Sequence, residues 1–284
     1  MSQALPHILA CVDTSAYALA VSDHAAWLAQ RLGVGVELLT VIERHPRLDG
    51  QQDHSGAIGV DAHDALLQSL SQADAARSRQ AREAGRLLLT QLRERLAVAG
   101  VHDVDIRQRH GDLEETLLEP QAQVAHYVMG RKGVGAHADG VADTPLWLLR
   151  SVRRPVWLVP ERFVVPRRVL VAFDGSAASR RAITHCAQSP WIRDLDITVL
   201  MVTDRGPSRE LDAAVQTLRD AGHQAQAMVR AGVAHEAIAD VLHEQAMDVL
   251  VMGAYSHAWW RSVLRGSNTQ ELLRRTRVTA LIHH

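Results

Sequence analysis

Five short landmarks occur twice in this chain, in the same order, and this repetition constrains the fold more than any other feature. Residues 7–13 read HILACVD and residues 168–174 read RVLVAFD, each an apolar run ending in Asp. A helical pattern follows each run: TSAYALAVSDHAAWLAQRLG in the first copy and GSAASRRAITHCAQ in the second. Next come VGVELLTVIE (34–43) and LDITVLMVTD (195–204), then HYVMGRKG (126–133) and VLVMGAYS (249–256). Each copy closes on a short helical pattern and a last apolar run, RPVWLVP (154–160) and VTALIHH (278–284). Self-similarity at this spacing marks two copies of one structural unit.

Within a copy, apolar runs of four to seven residues alternate with amphipathic stretches. Continuous apolar runs suit parallel strands buried on both faces, and their alternation with helices indicates βαβ units. The pattern predicts strands near 8–12, 35–41, 104–108, 126–129 and 155–159 in the first copy, with helices near 15–32, 63–99, 112–119 and 144–152. In the second it predicts strands near 168–173, 196–202, 225–229, 248–252 and 278–282, with helices near 177–187, 208–221, 234–245 and 267–276. The fold class is therefore α/β. The length of 284 residues fits two domains at about 150 residues each. The segment PERFVVP (160–166) divides them into 1–162 and 163–284. It is short, so the halves are expected to pack together, their closing strands near an approximate two-fold axis. Residues 44–65, rich in Gly, Asp and His, read as a surface loop leading into a long helix.

Composition removes several function classes. The formal charge is −1 and the sequence pI about 7.0, so no global basic field points to nucleic acid. No apolar stretch of about 18 residues is present, which argues against a membrane-spanning helix. MSQALPHILACVD lacks the basic, long apolar and small-residue sections of a signal peptide and reads as the start of a folded domain. Cys11 and Cys186 are too few for a disulfide framework, and a reduced, cytoplasmic setting is expected. Of the 31 basic residues, Lys132 alone is a lysine. There is no G-x-x-x-x-G-K-[ST] loop, and any Schiff-base or kinase-type lysine would have to be Lys132.

In an open parallel sheet, ligands bind beyond the carboxyl ends of the strands, where strand order reverses. That rule selects Asp13, Val41 and Gly130–Gly133 in the first copy, and Asp174, Val202 and Gly253–Ser256 in the second. The segment GAYSHAWWRSVLRGSNT (253–269) is the most informative. Gly253 closes a strand, and Gly266-Ser267-Asn268-Thr269 opens a helix. Glycines allow close approach of backbone to an anion, and free N–H groups at a helix start favour phosphate. Ser267 or Asn268 would cap that helix, and an ordinary turn with an N-cap explains the same residues without a ligand.

These features together resemble the universal stress protein family, in its tandem form with two domains in one polypeptide, over essentially the whole chain. The resemblance implies, for each half, a five-stranded parallel α/β sandwich of the adenine-nucleotide-binding type. It implies a cytoplasmic stress-response protein, of a family in which some members bind ATP and others do not. In ATP-binding members the phosphate signature is G-x2-G-x9-G-[ST], accompanied by the Asp after the first strand and a Val after the second. Carried over position by position, the second copy offers Asp174 and Val202 at the adenosine end, and Gly253, Ser256, Gly266, Ser267 and Asn268 at the phosphate end. The overall spacing is intact, but Ser256 replaces the second glycine. The first copy has Asp13, Val41, Gly130 and Gly133, but its terminal pair falls at Asp143-Thr144, or at Ala142-Asp143 when the closing strands are aligned. An acidic side chain there would repel phosphate. The first copy is thus expected to bind ATP poorly or not at all.

Other candidates yield to plainer readings. Arg131 and Lys132 could meet phosphates in the first copy but read first as solvated loop charges. Asp13 and Asp174 lack the nearby Lys that a phosphoacceptor pocket needs. The 16 histidines contain no H-E-x-x-H, and His235 and His243, eight apart, have no obvious third ligand, so no specific metal site is expected. Trp259 and Trp260 pack on the other half or form a partner patch. No nucleophile elbow or paired-carboxylate spacing marks an enzyme. The expectation is a non-enzymatic protein that holds an adenine nucleotide, if anywhere, in its second half. It forms an intramolecular pseudo-dimer, with room for further homodimerisation, and has no nucleic-acid or membrane partner. The alternatives are a member that has lost nucleotide binding and works as a protein scaffold, and a nucleotide-hydrolysing enzyme on the same fold.

Overall fold

A computed structural model describes residues 6–42, 60–131, 147–149, 151–206, 208–254 and 278–283, with backbone only at 60–75 and 77. The first half contributes β1 (His7–Cys11), α1 (Ala18–Leu32), β2 (Val36–Ile42), α2 (Val60–Val98), β3 (Val104–His110), α3 (Leu113–Leu118), β4 (Val124–Gly130) and β5 (Val156–Val159). The second contributes β6 (Arg168–Ala172), α4 (Ala177–Gln188), β7 (Asp196–Val202), α5 (Arg209–Asp220), β8 (Ala225–Arg230), α6 (Ala234–Glu244), β9 (Val249–Gly253) and β10 (Thr279–His283). Residues 147–149 are helical, inside the stretch predicted at 144–152. The helix predicted at 267–276 and most of the 44–65 loop lie outside the described residues.

The strands form one ten-stranded sheet in the order β3-β2-β1-β4-β5-β10-β9-β6-β7-β8. Every pairing within a half is parallel, so the five-stranded parallel unit is present twice. The halves join where β5 and β10 pair antiparallel, with Leu281 opposite Trp157. Antiparallel pairing of equivalent strands is what a two-fold relation between copies produces.

The apolar runs explain this arrangement. The inner residues of β1 (Ile8, Leu9, Ala10), β6 (Val169, Leu170, Val171) and β9 (Val249, Leu250, Val251) are fully buried, as parallel strands covered on both faces require. One face packs α1 and the end of α2 in the first half, and α4 and α5 in the second. The other packs α3 and residues 147–149 in the first, and α6 in the second. Each of these cores runs across the seam without a break. The first carries Trp157 and Leu281, the second Leu158 and Ile282. At the seam the Trp157 ring meets Trp191, of a single 3-10 turn (Pro190–Ile192), edge-on at 4.9 Å. Trp27 of α1, in the same half as Trp157, closes on both rings at 6.2 and 6.3 Å. Among the described residues no helix is long and apolar enough to cross a membrane.

Candidate functional site

Strand order reverses in each half between the first and fourth strands, and the candidate residues lie there. In the second half β6 has β9 on one side and β7 on the other. Gly253 ends β9, Val202 ends β7, and Asp174 follows β6 by two residues. Three of the seven sequence-derived site residues are thereby brought to the carboxyl ends of three adjacent strands. Asp174 is exposed and Val202 half-buried, on the face shared with Ala172. Ser256, Gly266, Ser267 and Asn268 lie outside the described residues, as do Trp259 and Trp260.

Asp174 shapes the turn it occupies, its Oδ1 accepting from the Ser176 backbone N–H at 3.0 Å. Ser176 is the N-cap of α4, and its Oγ accepts from the Ser179 N–H at 3.2 Å. The side chain that caps α4 is thus that of Ser176, not of Asp174. Between them Gly175 takes φ +76°, a left-handed conformation suited to glycine. A β-carbon there would also stand 2.5 Å from Glu210 Oε2. Arg180 ties the turn down: its Nε donates to Gly175 O at 2.9 Å and its NH2 to Glu210 Oε1 at 3.0 Å. Sequence reasoning missed Arg180 and Glu210. The glycine in FDGS was the available signal, because it marks a turn that something must brace.

Gly253 has a reason of its own. A β-carbon at this position would lie 2.6 Å from Ala178 O and 2.7 Å from Ser179 N, in the first turn of α4. The strand passes the helix too closely for any side chain. Glycine is therefore needed here for packing, whether or not a phosphate is held nearby.

The first half repeats the turn. Asp13 Oδ1 accepts from Ser15 N at 3.0 Å, Val41 is half-buried at the end of β2, and Gly130 ends β4. Gly133 and residues 142–144 lie outside the described residues, as does Lys132. Arg131 corrects an expectation. Only 6% of its surface is exposed, so it is a buried cation and not a solvated loop charge. Burial lowers its pKa to about 10, opposed by Tyr17. The Tyr17 hydroxyl is itself pushed up, first by burial and then by the carboxylate of Glu161, with Arg131 acting in the other direction. The backbone turns Arg131 inward immediately after the strand, a direction that the sequence RKG does not encode. Among the described residues no group of three His, Cys, Asp or Glu side chains is placed to hold a metal ion.

The model of the universal stress protein family matches residues 5–160 and again 166–284. The chain belongs to the universal stress protein family. The universal stress protein Slr1230 from Synechocystis is 28% identical over 98% of this chain and 99% of its own length. A universal stress protein from Archaeoglobus fulgidus shares the fold with a TM-score of 0.69 at 17% identity, covering 98% of this chain and 95% of its own. The functionally unknown protein PA1789 from Pseudomonas aeruginosa does so with a TM-score of 0.62 at 17% identity, over 99% and 92%. These matches cover nearly the whole of this chain and of each counterpart.

Proposed function

We propose that this tandem universal stress protein, divided at 1–162 and 163–284, is a non-enzymatic cytoplasmic stress-response protein that holds an adenine nucleotide, ATP, in its second half. The observation that carries this reading is the convergence of Asp174, Val202 and Gly253 on adjacent strand ends at the reversal point of the sheet. The residues fit the adenosine end. An exposed carboxylate accepts from ribose hydroxyls, and a half-buried valine presents an apolar edge to the base. At the phosphate end, Ser256, Gly266, Ser267 and Asn268 would supply hydroxyls and backbone N–H groups.

A second reading has its own support. Gly253 is demanded by the passage of β9 against α4, so it is weaker evidence for phosphate than its place in the signature suggests. Together with Ser256 in place of glycine, it favours a scaffold that has lost the nucleotide.

The deciding experiment measures ATP affinity of the parent, Ser256→Gly and Ser267→Ala, with chromatography of any nucleotide retained after purification. An occupied cradle loses about 10- to 150-fold in Ser267→Ala, the equivalent of about 1.5–3 kcal/mol for a hydrogen bond to charge. A gain confined to Ser256→Gly shows that the native loop is closed. No binding in any of the three leaves the scaffold reading.

A further inference from the structure

Three histidines line up across the seam. His126 belongs to β4 of the first half, while His185 of α4 and His283 of β10 belong to the second. The His126 and His185 ring centroids are 5.6 Å apart, and His185 stacks on His283 at 4.5 Å with 29° between the planes. Trp157 Nε1 donates to His126 Nδ1 at 2.9 Å. That bond places the proton of a neutral His126 on Nε2. Nε2 of His185 and Nδ1 of His283 are buried with no hydrogen-bond partner among the described residues.

Among the described residues, the charges outside the row that bear on it are both cationic. Arg154, held by the carbonyls of Gln121 and Ala122, acts on His126, and Arg181 of α4 acts on His283. The remaining titratable groups acting on His126 and His185 are the rings of the row itself. His284 lies outside the described residues. A proton added to any ring creates an imidazolium charge in a largely buried seam, beside other rings and arginines. On His126 Nδ1 it would also set donor against donor with the Trp157 N–H.

We propose that the His126–His185–His283 row is a pH-sensitive latch, which keeps the β5–β10 seam shut while its rings are neutral and releases that end of the seam when they are protonated. Burial, then the neighbouring rings and Arg154, holds His126 down to about 3. Burial, then His283, holds His185 down to about 3, and burial followed by Arg181 lowers His283. The sign follows directly. An opened seam returns the rings toward their ordinary value of 6.5 and binds more protons than the closed one. The opening constant therefore rises as pH falls below 6.5, by up to about tenfold per pH unit for each histidine released. Above that pH the row adds no pH dependence.

The test is amide hydrogen exchange on the full chain at pH 7 and pH 5, corrected for intrinsic rates. The seam strands 156–159 and 279–283 are compared with 8–11 in one half and 197–201 in the other. At pH 5 protection in the seam is expected to fall by about tenfold or more beyond any loss it shares with the inner strands. His185→Phe keeps a stacked ring without a titrating nitrogen and is expected to recover about tenfold of that loss. The proposal is overturned if seam and inner strands lose protection by the same factor, if the seam shows no pH response, or if His185→Phe responds like the parent. Should that variant fail to fold, ring-carbon NMR of the parent decides. Three rings titrating near pH 6.5 while the seam stays protected would overturn the latch, and rings that remain neutral until protection is lost support it.

Discussion

Trp157 and His126 are joined across adjacent strands by one buried hydrogen bond, indole N–H to imidazole Nδ1 at 2.9 Å. Both residues are buried, and the indole simultaneously packs edge-on to Trp191 and Trp27. Trp157 is therefore held at the seam by apolar rings, and is tied within its own half by a polar contact whose acceptor must remain unprotonated.

Trp157→Phe should cost more than its lost area suggests, because it leaves His126 Nδ1 buried without a donor. The unpaired acceptor alone is worth about 1–3 kcal/mol. Denaturant midpoints of Trp157→Phe, His126→Leu and the double variant form a cycle. A coupling of about 1 kcal/mol is expected, and additivity would show that the bond contributes nothing.

Gly253→Ala should be among the most damaging small substitutions in the chain. Its β-carbon would meet the α4 backbone at Ala178 and Ser179, and backbone cannot rotate away as a flexible side chain can. Overpacking of this kind costs about 1–3 kcal/mol and sometimes more. Thermal unfolding of the variant without nucleotide should show the loss. An unchanged Tm would mean that this glycine is not needed for packing.

At the other end of β10, His24 of α1 joins the halves through Thr279. Its Nδ1 lies 2.7 Å from Ala20 O and its Nε2 2.7 Å from Thr279 Oγ1. A carbonyl only accepts, so Nδ1 donates to Ala20 and Nε2 accepts from the threonine hydroxyl. Burial holds the ring down to about 4. A histidine lowered in the folded state contributes stability above its unfolded pKa of 6.5 and loses it as pH falls toward 4. The full loss is about 3 kcal/mol over that window. His24→Phe should unfold with a shallower pH slope between 6.5 and 4, by about one proton. An identical slope would refute the assignment.

What the sequence disclosed and what it hid follow from range. Runs such as HILAC and VLVMG announce buried parallel strands because burial on both faces leaves a continuous apolar signal. The Asp-containing turns after β1 and β6 were legible because strand ends position them locally. Two of the three strand-end markers in the second half are set by backbone packing and turn geometry, which short motifs do encode. The histidine row was not legible, because His126, His185 and His283 come from β4, α4 and β10 and meet only through tertiary packing. The burial of Arg131 was hidden for the same reason: Tyr17, which acts on it, lies far from it in sequence. A charge beside Lys and Gly carries no local sign that it points inward.

Cutting the chain at the proposed boundary should leave neither half as a well-behaved monomer. Trp157, Leu158, Leu281 and Ile282 are all within 1% of complete burial, and both cores cross the β5–β10 pairing. Separation would bare an edge strand in each piece, its N–H and C=O groups unpaired, beside an apolar surface on both faces. Residues 1–162 and 163–284 expressed alone are expected to aggregate or to self-associate through that strand. Co-expressed, they should recover a one-to-one complex, because the edge and both faces are complementary. Covalent linkage supplies the same partner at high effective concentration. Size-exclusion chromatography with light scattering distinguishes the outcomes. A soluble, monomeric 1–162 that ignores 163–284 would show that the seam is dispensable and that the halves are independent folding units.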